Sequence, residues 1–247
     1  MDHRPIIRNT HNTKVAVLML HGFASTPAHF RQLVPAIPED WTLHNIILEG
    51  HDKSVKDFGA SSLKKWRQQA MDEARMLLET HEKLVVIGHS MGTLFAVRIA
   101  LAHPGRIPFL FLLNLPSRPW ATLSTLRTCL QTMAGKLPTD TVTARHMQED
   151  TAMVLESGFL KYAGWFFRLL ELMVEIWQVR RLLPQLPAEA YVYQSKQDEL
   201  VSSRSFRDLR KNPRITTIPL AHSGHFHYDT RDAEAMQTHL RQLLQQL

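Results

Sequence analysis

The sequence has 247 residues, of which 44% are hydrophobic and 21% are charged, and it contains a single cysteine. This length can bury a sizeable core, and the composition excludes a largely disordered chain, while one cysteine excludes internal disulfides. The formal net charge is +6, but lysine and arginine are spread along the chain without a recognisable nucleic-acid-binding module, so we expect no nucleic-acid partner.

Apolar runs and helical periodicity alternate along most of the sequence. The runs that predict buried strands cover residues 15–20, 43–48, 84–87, 109–113, 191–194 and 215–218. The periodic segments that predict helices cover residues 62–79, 93–102 and 232–247. Because strands that alternate with helices form parallel sheets covered on both faces, we predict an α/β fold with a mostly parallel central sheet flanked by helices.

The stretch 116–187 interrupts this alternation, because it shows helical pattern and no convincing strand. Its most regular part, residues 159–183, carries one narrow polar stripe formed by Lys161, Arg168, Glu171, Glu175 and Gln178. A helix that is apolar around most of its circumference is buried, lines a pocket or contacts lipid. We therefore predict a helical cap, or lid, at residues 116–187, inserted into a core formed by residues 1–115 and 188–247.

The pentapeptide Gly88-His89-Ser90-Met91-Gly92 lies between a predicted buried strand and a predicted helix. This is the context of a nucleophile elbow, a tight strand-to-helix turn that projects the serine hydroxyl above the sheet. Side chains at the two glycine positions would collide with neighbouring backbone, which is why glycine is favoured there. We predict Ser90 as a nucleophile; the alternative is a glycine-rich turn with an incidental serine.

A second loop, His21-Gly22-Phe23, directly follows the predicted strand 15–20. Acyl transfer passes through an oxyanion, which needs preorganised N–H donors. We expect the backbone amides of Phe23 and Met91 to form this oxyanion hole, and their side chains to shape the acyl pocket. The alternative is a simple turn that ends the strand.

A nucleophilic serine needs a base, the base needs an orienting acid, and the chain order in this kind of site is serine, acid, histidine. Asp198 follows a predicted strand and is the preferred acid, with Glu199 as the competitor. After the last predicted strand, the sequence Ser-Gly-His indicates His225 as the base, with His222 as the alternative and His227 as a packing or surface residue. No carboxylate or cysteine with ligand spacing joins these histidines, so we predict no metal site and no cofactor.

Four motifs carry a resemblance to a known family: HGF at 21–23, GHSMG at 88–92, QDELV at 197–201 and SGH at 223–225. Together they resemble the α/β-hydrolase superfamily, in particular bacterial carboxylesterases and monoacylglycerol-lipase-like serine hydrolases. In that family these positions hold the first oxyanion donor, the nucleophile with the second donor, the acid and the base, and a helical cap is usual.

The sequence departs from that family in two places. Residues 49–52 read Glu-Gly-His-Asp, where the family often has Pro-Gly-His-Gly. The family's leading antiparallel strands have little room here, and we expect one or both to be missing or reduced to residues 5–9. The first departure concerns the conformation of a loop and leaves the triad unaffected.

The resemblance implies a serine hydrolase that cleaves carboxylic esters, either short or medium acyl esters or monoacylglycerol-like lipids, through an acyl-enzyme on Ser90. The apolar cap suits an apolar acyl group, for which we expect contacts from Trp165, Phe166 and Met173. A thioesterase, an aminopeptidase or an acyltransferase could use the same triad. A non-catalytic binding protein could use the same fold.

The sequence also bears on where such a protein works. No segment predicts a transmembrane helix, and the first residues lack the apolar core of a signal peptide, so we expect a cytoplasmic protein. The positive net charge and the apolar cap leave peripheral contact with an anionic membrane surface open.

Overall fold

The computed structural model describes residues 2–10, 14–134, 136 and 142–247. Within these ranges one sheet is formed by seven strands, β1 (Ile6–Arg8), β2 (Val15–Leu20), β3 (Thr42–Ile46), β4 (Lys83–His89), β5 (Phe109–Leu113), β6 (Glu189–Ser195) and β7 (Ile215–Leu220). Their order across the sheet is β1-β3-β2-β4-β5-β6-β7. Strand β1 runs antiparallel to β3, and the other neighbouring pairs are parallel. The structure confirms the predicted α/β fold with a mostly parallel sheet.

Helices connect and cover these strands. The α-helices of the described residues are α1 (Val55–Ala60), α2 (Leu63–Thr80), α3 (Met91–Ala102), α4 (Leu123–Met133), α5 (Val142–Asp150), α6 (Ala163–Leu182), α7 (Ser205–Leu209) and α8 (Thr230–Leu244). Short 3₁₀ helices lie at Pro27–Phe30, Val34–Ala36, Phe159–Tyr162 and Leu183–Gln185. Helices α4, α5 and α6 all fall between β5 and β6, in the segment 116–187.

Strand β2 shows why both faces of the sheet are covered. All six of its side chains are buried, and successive side chains point to opposite faces. Leu18 and Leu20 pack in a core shared with residues of α2, α3 and α6. Val17 and Met19 pack in a second core shared with residues of α8. A strand with two apolar faces therefore needs helices on both sides.

Two strands near the amino terminus refine the predictions. Strand β3 ends at Ile46 rather than at Leu48, because the amide of Leu48 donates to Nε2 of the buried His21 at 3.0 Å instead of to a neighbouring strand. The predicted remnant at residues 5–9 contains the short strand β1, which pairs with β3.

Helix α6 packs with its polar stripe facing inward. The guanidinium of Arg168 donates to the carbonyl oxygens of Gly59 and Ser61, and Glu171 Oε2 accepts from the amide of Leu63 at 2.9 Å. The exposed side of the helix carries Phe166, Phe167, Leu170, Val174 and Trp177. None of the helices in the described ranges is long and apolar enough to cross a membrane.

The carboxylate of Glu175 holds α6 against α2 and α3. Its side chain is 2% exposed and accepts hydrogen bonds from Arg98 of α3 and, at 2.9 Å, from Arg67 of α2. Arg98 also donates to Gln178 Oε1 at 2.6 Å. The two guanidiniums neutralise a charge that would be costly to bury unpaired.

We expect Glu175→Ala to lower the free energy of unfolding by about 2 kcal/mol, because two guanidiniums lose their shared partner. Arg67 and Arg98 keep 34% and 22% exposure, so water offsets part of that loss. Urea unfolding measures the effect, with Glu189→Ala as the control. Glu189 forms an exposed ion pair with Arg214, which we expect to contribute less than about 1 kcal/mol. Equal destabilisation by the two changes would contradict the anchoring role.

Candidate active site

Ser90 occupies the tight turn between β4 and α3. Its φ of 48° lies in the left-handed region that non-glycine residues rarely adopt, so the backbone is strained where the hydroxyl is presented. A Cβ on Gly92 would overlap the carbonyl oxygen of Leu20, and a Cβ on Gly88 would lie 2.9 Å from the backbone of Gly92. Glycine at both flanking positions lets the turn close, as in a nucleophile elbow.

The structure brings Ser90, His225 and Asp198 together at the carboxyl ends of the strands. His225 Nε2 lies 3.0 Å from Ser90 Oγ, and His225 Nδ1 lies 2.9 Å from both carboxylate oxygens of Asp198. Both side chains of the pair are buried. Burial alone would lower the pKa of His225, but the charge of Asp198 and its hydrogen bond raise that pKa above its ordinary value. This geometry suits a serine that transfers its proton to a histidine held by an acid.

The two candidate acids, Asp198 and Glu199, make different contacts. Asp198 Oδ1 also accepts from the amides of Leu200 at 2.8 Å and Val201 at 2.7 Å, which fixes the carboxylate under the imidazole. Glu199 Oε2 accepts from the backbone amide of His225 at 2.6 Å instead of from its ring. The geometry therefore favours Asp198 as the orienting acid and Glu199 as a support for the backbone of the base.

The loop that follows β2 lies against the nucleophile. A Cβ on Gly22 would lie 3.1 Å from the Cβ of Ser90. The amides of Phe23 and Met91 donate no hydrogen bond within the described part of the chain, which leaves both available to an oxyanion. His21 Nδ1 donates to the carbonyl of Gly22 at 2.9 Å, and burial lowers the pKa of His21 to about 4. The neutral ring therefore keeps Nε2 as an acceptor and ties this loop to the end of β3.

The three histidines that follow β7 lie in separate environments. His225 is in contact with Ser90, His222 is exposed, and His227 stacks on His146 with ring centroids 4.1 Å apart. Among the residues that the structure describes, no group of three or more histidine, cysteine, aspartate and glutamate side chains could hold a metal ion. The geometry favours His225 over His222 as the base.

Two further buried residues support the loop of the base and were not predicted. His89 Nε2 donates to the carbonyl of His225 at 3.1 Å. Asn114, with a φ of 52°, donates from Nδ2 to the carbonyl of Gly224 at 3.1 Å and accepts through Oδ1 from the amide of Ser195 at 2.8 Å. Asn114 directly follows β5, at the strand end where ligand-facing residues gather in parallel sheets. This position after a strand is the one feature of the sequence that could have identified Asn114.

Two adjoining cavities are lined in part by described residues of the segment 116–187. The cavity that contains Ser90 and His225 has a volume of about 380 Å³, and its apolar lining includes Pro116, Trp120, Leu172, Met173, Ile176 and Val201. The deeper cavity has a volume of about 220 Å³, and its lining includes Cys129, Met133, Met147, Met153, Leu155 and Trp165. Both cavities are lined by Phe23, Asp150, Leu169, Leu200 and Phe226.

The residues expected to contact a substrate lie in different places in the structure. Met173 lines the cavity around Ser90, and Trp165 lines the deeper one. Phe166 is 62% exposed and lines neither cavity, because α6 turns its polar stripe inward and this face outward, so the expectation for Phe166 is corrected. The side chain of Met91 is buried in the core, whereas that of Phe23 lines both cavities.

Comparison with known proteins places this chain in a family. The model of the alpha/beta hydrolase family matches residues 17–237. Similar solved structures include one from work on two metagenome-derived lipolytic enzymes, LipS and LipT, with 18% identity, a TM-score of 0.73 and coverage of 98% of both chains. Another comes from work on carboxylesterases of the thaumarchaeon Nitrososphaera gargenis, with 14% identity, a TM-score of 0.68 and coverage of 98% of this chain and 95% of that one.

A third similar structure is an enol-lactonase from Burkholderia xenovorans, with 13% identity, a TM-score of 0.66 and coverage of 98% of this chain and 96% of that one. At these identities the likeness to solved structures shows the fold alone. The family model, in contrast, spans most of the sequence and includes the residues of the predicted triad. The chain therefore belongs to the alpha/beta hydrolase family.

Proposed function

We propose that this chain is a serine hydrolase that cleaves carboxylic esters with an apolar acyl group through an acyl-enzyme on Ser90. The observation that carries the proposal is the path from Ser90 Oγ through His225 to Asp198, with contacts of 3.0 and 2.9 Å, on the wall of an apolar cavity. The lipolytic enzymes and carboxylesterases among the similar structures support ester hydrolysis as the reaction.

The first half of the reaction forms the acyl-enzyme. His225 Nε2 takes the proton of Ser90 as Oγ bonds to the ester carbonyl carbon. The negative charge on the former carbonyl oxygen is stabilised by the amides of Phe23 and Met91. The bond to the alkoxy oxygen then breaks, and the alcohol leaves with the proton that His225 carried. Throughout, Asp198 holds the ring and stabilises the imidazolium.

The second half releases the acid. A water molecule gives a proton to His225 as its oxygen bonds to the acyl carbon. The same two amides stabilise the second oxyanion. The bond between the acyl carbon and Ser90 Oγ breaks, the proton returns from His225 to Oγ, and the carboxylic acid leaves. These steps use side chains, backbone amides and water.

We assign the helical segment 116–187 as the lid of this site, and residues 1–115 and 188–247 as the core. Helix α6 contributes Met173 to the cavity around Ser90 and Trp165 to the deeper cavity. The deeper cavity, of about 220 Å³, suits a short or medium acyl chain. The larger cavity holds the ester group and the alcohol.

The test combines hydrolysis of p-nitrophenyl esters, from acetate to palmitate, with covalent labelling by a fluorophosphonate. We expect the highest kcat/KM at a short or medium chain, because the deeper cavity is too small for longer ones. Mass spectrometry should find the label on Ser90 and none in Ser90→Ala. A folded protein that hydrolyses no ester and takes no label would contradict the proposal.

The same experiment separates the alternatives. A thioesterase or an aminopeptidase would take the label on Ser90 and would cleave a matched acyl thioester or amide with a higher kcat/KM than the oxygen ester. An acyltransferase would pass the acyl group to an added alcohol in preference to water. A binding protein would take no label.

A further inference from the structure

A second buried aspartate–histidine pair lies beside the triad and takes no part in the proposed mechanism. His29 Nδ1 lies 2.8 Å from Asp150 Oδ1, and the two side chains are 2% and 7% exposed. Asp150 ends helix α5 of the lid, whereas His29 belongs to the 3₁₀ helix after β2. The ring of His29 stacks on that of His89, next to the nucleophile, with centroids 3.5 Å apart.

The contacts of His29 determine how the protons of this pair are arranged. Its Nε2 lies 3.3 Å from the hydroxyl of Tyr228. Burial raises the pKa of Tyr228 well above its ordinary value, so the phenol keeps its proton and can donate a hydrogen bond to Nε2. When Nε2 accepts this hydrogen bond, Nδ1 carries a ring proton and donates a hydrogen bond to Asp150 Oδ1. In this arrangement Asp150 Oδ1 accepts one hydrogen bond from the ring.

Asp150 lies where the two cavities adjoin. It lines both the cavity around Ser90 and the deeper apolar cavity. Its second oxygen, Oδ2, accepts no hydrogen bond from the described residues. Oδ2 is not among the described buried side-chain atoms that lack a partner, so it is accessible from the cavities and can accept a hydrogen bond from a ligand. The other residues shared by the two cavities are apolar, namely Phe23, Leu169, Leu200 and Phe226.

We propose that Asp150 is a specificity-determining residue that binds a hydrogen-bond donor, a hydroxyl or an ammonium group, on an ester substrate where it passes between the two cavities. The inference rests on the proposed ester hydrolysis and names its substrate class. His29 orients the carboxylate from the core side. The same charge rejects esters that carry a carboxylate near the scissile bond, because two buried negative charges repel each other.

The test compares matched esters in the wild type and in Asp150→Asn. Asparagine keeps an oxygen that can accept from His29, so the substitution removes the charge and preserves the shape. Glu149→Gln is the control, because Glu149 precedes Asp150 on α5 and its side chain is exposed. The esters are ethyl butanoate against ethyl β-hydroxybutanoate, propyl butanoate against glyceryl monobutanoate and dimethylaminopropyl butanoate, and monoethyl succinate as the carboxylate probe.

We expect the wild type to prefer at least one donor-bearing ester over its donor-free partner by about 10-fold or more in kcat/KM, as for a hydrogen bond to a charged group. The ester that is preferred tells whether the donor is on the acyl or the alcohol side, and whether it is a hydroxyl or an ammonium. Asp150→Asn should lose that preference and gain about 10-fold on monoethyl succinate relative to ethyl butanoate, while Glu149→Gln keeps the wild-type ratios.

Binding to the Ser90→Ala protein separates this inference from the proposed hydrolysis. Esters stay intact there, so calorimetry or NMR titration measures the same donor preference without turnover, with and without Asp150→Asn. One outcome is that the wild type shows no turnover while binding still shows a donor preference that Asp150→Asn removes. That result would contradict the proposed hydrolysis and support the role of Asp150. No donor preference in binding, or one that Asp150→Asn leaves intact, would overturn the inference.

Discussion

Replacing Ser90 with alanine is expected to lower kcat for ester hydrolysis about a million-fold. The hydroxyl 3.0 Å from His225 Nε2 is the group that forms the acyl-enzyme, and alanine offers nothing to attack the ester. The cavity and the two free amides remain, so the variant should still bind esters and keep a small residual rate. Stopped assays with a sensitive fluorogenic ester, on protein shown to be folded by circular dichroism, measure the loss.

The pattern of combined substitutions makes this prediction sharper. Residues that act as one unit are not additive, so Ser90→Ala with His225→Ala should be no slower than Ser90→Ala alone. Ser124→Ala is the control, because Ser124 is an exposed serine on helix α4. A Ser90→Ala protein that keeps more than about one hundredth of the wild-type rate would contradict the role of Ser90.

The elbow could be predicted because its constraints are local. The buried strand before Gly88, the tight turn and the helix after it are adjacent in the sequence. The positive φ of Ser90 and the close approach of Gly92 to Leu20 are the physical reasons for that pattern. A motif of this kind therefore predicts its local structure without information from the rest of the chain.

The positions of the candidate acid and the candidate base could be inferred from chain order and strand ends. Parallel strands place their carboxyl ends at one edge of the sheet, so residues that follow β4, β6 and β7 meet there. The sequence alone separates Asp198 from Glu199 less clearly, because the two acids are adjacent. In the structure both side chains contact His225. Only the structure shows that one bonds to the ring and the other to the backbone amide.

The helical segment 116–187 was the least predictable part, because the packing of its described helices depends on partners far away in the sequence. The narrow polar stripe of α6 faces the core, where Glu175 finds Arg67 and Arg98, and this turns Phe166 out to the surface. The contact between His29 and Asp150 spans 121 residues and joins two elements without a shared motif. No local pattern encodes such contacts, whereas the six buried side chains of β2 are encoded by their own sequence.

The hydrogen bonds of Asn114 to the loop of His225 were harder to predict than the elbow and easier to predict than the packing of α6. An asparagine after a strand is common, and asparagine adopts a positive φ, as Asn114 does, more readily than most other residues. Its two hydrogen bonds, to residues of two other loops, become visible only when β5 and β6 are neighbours. Fold prediction therefore has to come before this kind of residue can be found.

Asp198→Asn is expected to lower kcat about ten-thousand-fold, because an amide no longer fixes the tautomer of His225 or stabilises its positive charge. Glu199→Gln is the matched comparison on the neighbouring residue. A glutamine oxygen can still accept from the backbone amide of His225, so we expect a loss of about 10-fold or less. A larger loss in Glu199→Gln than in Asp198→Asn would make Glu199 the orienting acid.

The pH dependence gives a second, independent reading of the same pair. Burial lowers the pKa of His225, and the charge and hydrogen bond of Asp198 raise it above its ordinary value. Because the neutral ring is the base, the activity of the wild type should fall as the pH drops through this raised pKa. Removing the charge of Asp198 leaves burial opposed only by the weaker effects of Glu199 and Asp150, so the acid limb of the residual activity should move to lower pH.

The profile of kcat/KM between about pH 4 and pH 9 measures this shift, a range that brackets the ordinary pKa of histidine. Glu199→Gln also removes a negative charge near the ring, but that charge contributes less to the pKa than Asp198 does, so its acid limb should move less. An acid limb that stays in place in Asp198→Asn would mean that His225 does not titrate in the reaction. In that case the 2.9 Å contact between the ring and the carboxylate would be structural only.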